Sequence, residues 1–170
     1  MIGGIDMSNF TTKRMQALDT CDKVINGIED ETITISSALL QCMKIARLVN
    51  DAEAIEWLSY ELGGYPLNAE GYLIENAWNT AVKHGRSYVN RADGKTYVFT
   101  ELAAELENIV TNSKDALGNF STQGFSVSGN YALAATSRMT ENVTQATNNL
   151  LTTAKTNEQR LSVLKAQFYN

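Results

Sequence analysis

The sequence contains only one proline, one histidine and two cysteines among its 170 residues, and these scarcities exclude several kinds of protein. Two cysteines and one histidine cannot by themselves complete the four-ligand set of a usual structural zinc site. Cys21 and Cys42 both lie in helix-like patterns. We interpret them as buried thiols of a reducing compartment, with a disulfide or a redox pair as the alternative. We therefore expect a chain without a structural metal.

Long apolar runs are also lacking, because no stretch approaches the ~18 to 20 residues that a membrane span requires. Positive charge is scarce as well, since 14 basic residues stand against 19 acidic ones and the net charge is −5. Binding to nucleic acid without sequence preference needs clustered Lys and Arg, whereas the basic residues here are scattered. The first residues carry no secretory signal. We expect a cytoplasmic protein with no nucleic-acid partner and no stable membrane insertion.

Helical spacing dominates what is present. Hydrophobic residues make up 44% of the chain and charged residues 19%, the balance of an ordinary globular protein. Six segments carry apolar residues at three- and four-residue steps: 12–27, 36–49, 51–64, 69–85, 100–117 and 131–169. The pattern predicts a mainly α fold, a helical bundle with an αα-hairpin at its core and a long C-terminal helix.

The predicted αα-hairpin occupies residues 36–64. Ser36 and Asp51 are good N-caps for its two helices, and the short break between them forces an antiparallel arrangement. The double glycine at 63–64 suits a left-handed C-terminal cap, and Pro66 then prevents the helix from resuming. This stretch therefore predicts a sharp helix stop.

One small β-hairpin is predicted at about 86–99. Asp93 and Gly94 stand between two β-prone arms, which is the signal for a two-residue type I′ turn. Counting outward from this turn predicts two cross-strand pairs, Val89 with Val98 and Tyr88 with Phe99. A lone hairpin is only marginally stable, so we expect it to pack on the helices.

The chain divides most naturally at a small, polar, glycine-containing stretch. We predict a helical domain over 1–117, a loop over 118–130 and a C-terminal helical segment over 131–170. That last helix carries a seam like a weak coiled coil, and it would be marginal alone. We expect it to mediate oligomerisation or partner binding through Val143, Leu150, Asn157, Leu161, Leu164 and Phe168.

Catalytic motifs are lacking. The sequence has no GxSxG or SxxK motif, and His84 has no apparent catalytic partner, so we interpret it as a surface or capping residue. Two carboxylate pairs share predicted helix faces, Glu53 with Glu56 and Glu101 with Glu105. Such pairs usually form solvated faces, and catalysis or metal binding is the alternative. We expect a non-enzymatic protein without a cofactor.

One segment resembles a known family. The stretch "ISSALLQCMKIARLVNDAEAIEWLSYELGGYP", residues 35–66, resembles the signature of the AbiTii domain. The matching residues are Ser36, Leu39, Leu40, Ala46, Leu48, Asn50, Glu56, Trp57, Leu58, Glu61, Leu62, Gly64, Tyr65 and Pro66. The specific part is the clustered end, because leucines at helical spacing are common. The family often continues with a Pro-acidic-Tyr-Arg element, and this chain has "LNAEGY" instead.

AbiTii domains are associated with abortive infection and other anti-phage systems of bacteria, where they are thought to act as interaction or adaptor modules. The resemblance therefore implies a non-enzymatic protein that works through self-association or a protein partner. We predict a partner-binding corner formed by Trp57, Tyr60, Glu61, Gly64, Tyr65 and Pro66. Two alternatives remain: a toxic effector that oligomerises or perturbs membranes through its C-terminal helix, and a metal-dependent nuclease with an acidic site.

Overall fold

The structure is a computed structural model that describes residues 7–122 and 132–169, with side chains at 11–119 and 140–169. This part of the chain contains α1 (Met7–Glu29), α2 (Ile35–Val49), α3 (Ala52–Gly63), α4 (Glu75–Lys83), β1 (Ser87–Val89), β2 (Thr96–Val98), α5 (Ala103–Thr122) and α6 (Ala132–Gln167). The two strands form one antiparallel sheet. The prediction of a mainly α chain with one small β-hairpin and a long C-terminal helix is confirmed.

Two compact units make up the chain. The first consists of residues 1–104 together with 162–170, and the second of residues 105–161. In the first unit α1 packs on α2, and α2 packs on α3. The α2–α3 pair is the predicted αα-hairpin.

The N-cap of helix α2 lies two residues before the predicted cap. This N-cap is Thr34, whose Oγ1 accepts a hydrogen bond from the backbone N–H of Ser37 at 3.1 Å. Ser36 lies within the first helical turn, so the prediction of Ser36 as the cap was wrong. Thr34 has an extended backbone and lies three residues before Ser37. From this position its hydroxyl can reach one of the N–H groups that the first helical turn leaves unsatisfied.

The connection between α2 and α3 is made by two adjacent polar residues. Asn50 adopts a left-handed conformation (φ 59°, ψ 42°), and its N–H closes α2 on the carbonyl of Ala46. Asp51 then caps α3 as predicted, because its Oδ1 accepts from the N–H of Ala54 at 3.0 Å. Asn50 thus ends α2, and Asp51 begins α3.

Helix α3 ends at the double glycine, although the cap is not the one predicted. Gly64 has φ 98° and ψ 150°, outside the left-handed helical region that we predicted. This backbone region is essentially restricted to glycine. The Gly64 N–H still donates to the carbonyl of Tyr60 at 2.9 Å. The chain therefore leaves the helix in an extended direction, and Pro66 follows.

The helix predicted at 69–85 begins later, at Glu75. A turn precedes it because the Oδ1 of Asn68 accepts from the N–H groups of Glu70 and Tyr72, at 3.0 and 2.9 Å. Gly71 completes the turn with φ 85°. Side-chain hydrogen bonds of this kind offer the backbone an alternative to helix, which is why the periodic pattern overstated the length.

The β-hairpin is present, but the predicted turn and register were wrong. The cross-strand pairs are Ser87 with Val98, Tyr88 with Tyr97 and Val89 with Thr96. Residues 91–94 form a four-residue loop, since the N–H of Asn90 donates to the carbonyl of Lys95 at 2.8 Å. Side chains fix this loop: the Oδ1 of Asn90 accepts from Ala92 and that of Asp93 from Lys95, each at 3.0 Å.

Two clusters of buried residues belong to the core of the first unit. One is formed by Val24, Ile28 and Ala38, with Ile33, Cys42 and Phe168 packed against it. The other is formed by Tyr65, Ala77 and Ala81, with Tyr60, Leu73 and Val98 packed against it. Phe168 follows the last residues of α6, so the C-terminal end of the chain belongs to this core.

The second unit contains most of α5 and α6. An exposed salt bridge joins Lys114 of α5 to Glu158 of α6 at 2.7 Å. Helix α5 runs to Thr122, so residues 118–122 of the predicted loop are helical. The remainder of that loop, together with residues 1–6, lies outside the described residues, and the domain division stays a prediction.

Candidate functional site

The centre of the predicted corner is the buried carboxylate of Glu61. Its Oε1 accepts hydrogen bonds from Trp57 Nε1 at 3.1 Å, from the Tyr65 hydroxyl at 2.6 Å and from Arg86 Nε at 3.0 Å. Its Oε2 accepts from Arg86 Nη2, which completes a two-point salt bridge. Both side chains of the ion pair are 0% exposed. Four donors from three residues therefore surround one carboxylate.

Local sequence explains how three of these side chains meet. Trp57 and Glu61 lie four residues apart on α3, which places them one turn apart on the same face. Tyr65 comes four residues after Glu61 and follows the extended turn at Gly64, which brings its hydroxyl back to the same carboxylate. The segment thus assembles its own half of the site.

Arg86 supplies the other half from a different part of the chain. Its N–H donates to the carbonyl of Ala81 at 2.8 Å, and its carbonyl accepts from the N–H of Phe99 at 3.0 Å. Its Nη1 donates to the carbonyl of Glu101 at 2.7 Å. The guanidinium also lies 5.0 Å from the ring centroid of Phe99. Arg86 therefore contacts α3 and the residues after β2 through its side chain, and the end of α4 through its backbone.

Arg86 was missed at the level of sequence. A signal for its existence was available, because Glu61 lies between Leu58 and Leu62 on a largely apolar helix and a buried carboxylate needs a partner. Nothing in the sequence identifies which of the 14 basic residues provides it.

Electrostatics in this cluster keep the Tyr65 phenol protonated. Burial, together with the negative charge of Glu61, raises the pKa of the Tyr65 phenol, so the hydroxyl remains a donor. The acceptor positions of Glu61 are taken by donors, and its charge is compensated by Arg86. A carboxylate in this condition is a poor general base, because a base needs access to the proton that it removes.

His84 lies beside the cluster. It is the C-cap residue of α4, in agreement with its interpretation as a capping residue. Its ring stacks on the indole of Trp57 with centroids 4.3 Å apart and planes inclined by 8°. Burial lowers the pKa of His84, which favours the neutral ring at pH 7.

The other predicted corner residues surround this buried centre. Trp57, Glu61 and Tyr65 are buried, whereas Tyr60, Gly64 and Pro66 are partly exposed. The Tyr60 hydroxyl donates to Glu56 Oε1 at 2.8 Å. The structure therefore brings all six residues into one region. Their role in partner binding stays a prediction.

The predicted oligomerisation residues are divided between the two units. In the second unit, Asn157 is buried and its Nδ2 donates to the carbonyl of Thr153 at 2.9 Å, while the others are half-buried: Val143, Leu150 and Leu161. In the first unit, Leu164 is fully buried, and Phe168 packs on the Val24 cluster. Oligomerisation stays a prediction for all six residues.

The first carboxylate pair is engaged within the chain. Glu53 forms a salt bridge with Lys83, and Glu56 accepts from Tyr60 and from Asn76 Nδ2, the latter at 2.6 Å. Over residues 7–122 and 132–169, no group of three or more His, Cys, Asp or Glu side chains could hold a metal ion. In the same ranges, none of the helices combines the length and hydropathy that a membrane crossing needs.

The fold and the Glu61–Arg86 ion pair define a mainly α protein. Its "EWLSYELGGYP" segment is held by its own side chains and by Arg86. A model of the AbiTii family matches residues 20–157, which is most of the chain. The chain belongs to the AbiTii family, and the resemblance seen over 35–66 is confirmed. Family membership associates it with abortive infection, an anti-phage defence. The comparisons with curated proteins and with solved structures found no match.

Proposed function

We propose that this AbiTii protein is a non-enzymatic interaction or adaptor module of an abortive-infection system, acting through self-association or a protein partner. Family membership supports the defence context. The observation that carries the mechanistic part is the saturation of Glu61 by Trp57, Tyr65 and Arg86. These polar groups of the AbiTii-like stretch, residues 35–66, bind one another and stabilise the fold. Such a use of polar groups is expected in a scaffold protein rather than in an enzyme.

In this proposal the buried members of the corner act indirectly. Trp57, Glu61 and Tyr65 hold the segment, and the exposed parts of Tyr60, Gly64 and Pro66 meet the partner. The surroundings of Gly64 are open, since an added Cβ would meet no atom within 4 Å, and this supports a role for Gly64 at the contact surface.

Self-association would use the half-buried residues of the second unit. Val143 and Leu150 lie seven residues apart on α6, which is two helical turns and therefore one face. Leu164 and Phe168 already pack inside the first unit, so they would contribute by stabilising the chain itself.

The test combines a phage-challenge assay with sedimentation of the purified full chain. We expect Tyr60→Ala together with Pro66→Ala to abolish protection at a nearly unchanged melting temperature. Leu67→Ala is the matched control, because Leu67 is exposed and adjacent but lies outside the corner. Val143→Asp with Leu150→Asp should lower any self-association. Protection that survives both pairs of substitutions would overturn the proposal.

Two further experiments distinguish the adaptor proposal from the nuclease and toxic-effector alternatives. If Glu101→Gln with Glu105→Gln removes protection while the fold is intact, a metal-dependent nuclease is favoured over an adaptor. If overexpression is toxic without phage and the α6 substitutions remove this toxicity, a toxic oligomer is favoured instead. An adaptor predicts neither result.

A further inference from the structure

A groove of about 560 Å³ lies between α1, α2 and α3, and most of the residues that line it belong to the 35–66 stretch. We call it the basic groove and define it by Lys13, Leu40, Lys44, Arg47, Leu48 and Leu62. The proposed function uses none of these residues.

One wall of the basic groove is a stripe of two leucines and a lysine on α2. Leu40, Lys44 and Leu48 follow one another at four-residue steps on α2, so they form a stripe along one face. Eight residues of helix advance by about 12 Å, which matches roughly two turns of a second helix laid alongside. Leu40 is 61% exposed, a large value for a leucine in the middle of a packed helix. Within the described part of the chain, the stripe is therefore an exposed helix face without a covering element.

The charges of the basic groove have a single sign. Lys13, Lys44 and Arg47 line it, and no acidic residue does among those whose side chains the structure describes. Within the described part of the chain, none of the three forms a salt bridge. Arg47 lies in the last turn of α2, where a helix C-terminus favours a cation, but this reason does not extend to Lys13. Among the described residues these three cations have no acidic partner, although the chain as a whole carries a net charge of −5.

We propose that the basic groove binds an acidic amphipathic helix of a protein partner. Leucine-like side chains of that helix would cover Leu40, Leu48 and Leu62, while its carboxylates would meet the three cations at the rim. A helix lying in an apolar groove is a common mode of peptide recognition, and complementary charge fixes its register and speeds association. This inference rests on the proposed interaction function and adds to it a surface and the chemistry of the partner.

The experiment uses the full chain and a labelled peptide of about 15 residues, long enough to form some helix, with leucines on one face and glutamates on the other. A second peptide carries lysines in place of the glutamates. Binding is followed by fluorescence anisotropy at low and high salt. We expect the acidic peptide alone to bind, and its affinity to fall as salt rises.

Two groove variants and two controls locate the site. Lys44→Glu with Arg47→Glu, and separately Leu40→Ser, should each weaken binding by about tenfold or more. Lys95→Glu and Val89→Ser are the controls, since Lys95 and Val89 are exposed on the β-hairpin. Equal binding by all variants would overturn the proposal, and so would an effect of the charges without an effect of Leu40→Ser.

Two further results distinguish this inference from the proposed function. If the groove variants retain phage protection while the Tyr60 and Pro66 variants lose it, the docking proposal fails and the adaptor function stands. If purified chains associate and the groove variants dissociate them, the occupant is a second copy, which overturns a separate acidic partner.

Discussion

Arg86 and Glu61 lie 25 residues apart in the sequence, yet they form a two-point salt bridge from which solvent is fully excluded. Each charge depends on the other, because a charge that is buried without a partner is strongly unfavourable. Trp57 and Tyr65 add neutral donors to the same carboxylate. The family segment and the start of the β-hairpin are therefore coupled energetically, and four predictions follow from this and related contacts.

Arg86→Met should lower the free energy of unfolding by about 3–5 kcal/mol, because it leaves Glu61 buried without its cation. Lys83→Met is the matched control. Lys83 and Glu53 form a salt bridge whose side chains are 62% and 67% exposed, and such pairs contribute about 0–1 kcal/mol. Urea unfolding followed by circular dichroism measures both variants. Similar losses in the two would show that the buried pair has no special role.

Replacing both partners should be less harmful than the two single changes suggest. Glu61→Leu with Arg86→Met removes both charges together, so neither is left buried alone. We expect a coupling energy of about 1–3 kcal/mol between the two substitutions, measured as a double-mutant cycle in urea. Additive losses would contradict this expectation.

The stability of the chain should fall between pH 9 and pH 11 in a way that depends on Cys42. Burial raises the pKa of the Cys42 thiol from 9.0 to about 11. The unfolded chain releases this proton first as pH rises, so the contribution to stability is present below pH 9 and is lost towards pH 11. Cys42→Ala should show a shallower decline over this window. Parallel pH profiles of the two proteins would rule out the assignment.

The register of the β-hairpin predicts one disulfide and excludes another. Val89 lies opposite Thr96, next to the hydrogen-bonded pair of Asn90 and Lys95, so its own pair is the closely spaced kind that suits a disulfide. In a background with both native cysteines replaced by alanine, Val89→Cys with Thr96→Cys should oxidise readily. Val89→Cys with Val98→Cys should not. Mass spectrometry under non-reducing conditions measures the outcome, and the reverse result would restore the register predicted from sequence.

Local signals were sufficient for part of this structure. Asp51 caps α3 through a contact three residues away, and α3 ends at the double glycine. Both features could be predicted because each depends only on residues that are close in the sequence. Short-range side-chain bonds were harder to anticipate. Thr34 rather than Ser36 caps α2, and Asn90 with Asp93 selects a longer hairpin loop. Several adjacent polar residues compete for these roles, and small energy differences decide between them.

The candidate site depended on long-range contacts, which sequence reasoning could not supply. Trp57, Glu61 and Tyr65 were predicted to belong to one corner because they match the AbiTii pattern. Their burial around Arg86 was not predicted, since it depends on where the β-hairpin begins relative to α3. A single sequence contains no distance between such segments.

The end of α6 joins the core of the first unit only after the rest of that unit has been synthesised. Two contacts join this part of α6 and the residues after it to the first unit. Val163 lies so close to Gly85, which has φ 73°, that a Cβ there would meet Val163 Cγ1 at 2.9 Å. Phe168 covers Val24, Ile28 and Ala38. The ribosome adds residues at about 5–20 per second, so roughly 3–14 seconds separate the completion of β2 from the arrival of Phe168. During this interval the nascent first unit exposes the apolar surface of Val24, Ile28 and Ala38 that Phe168 later covers.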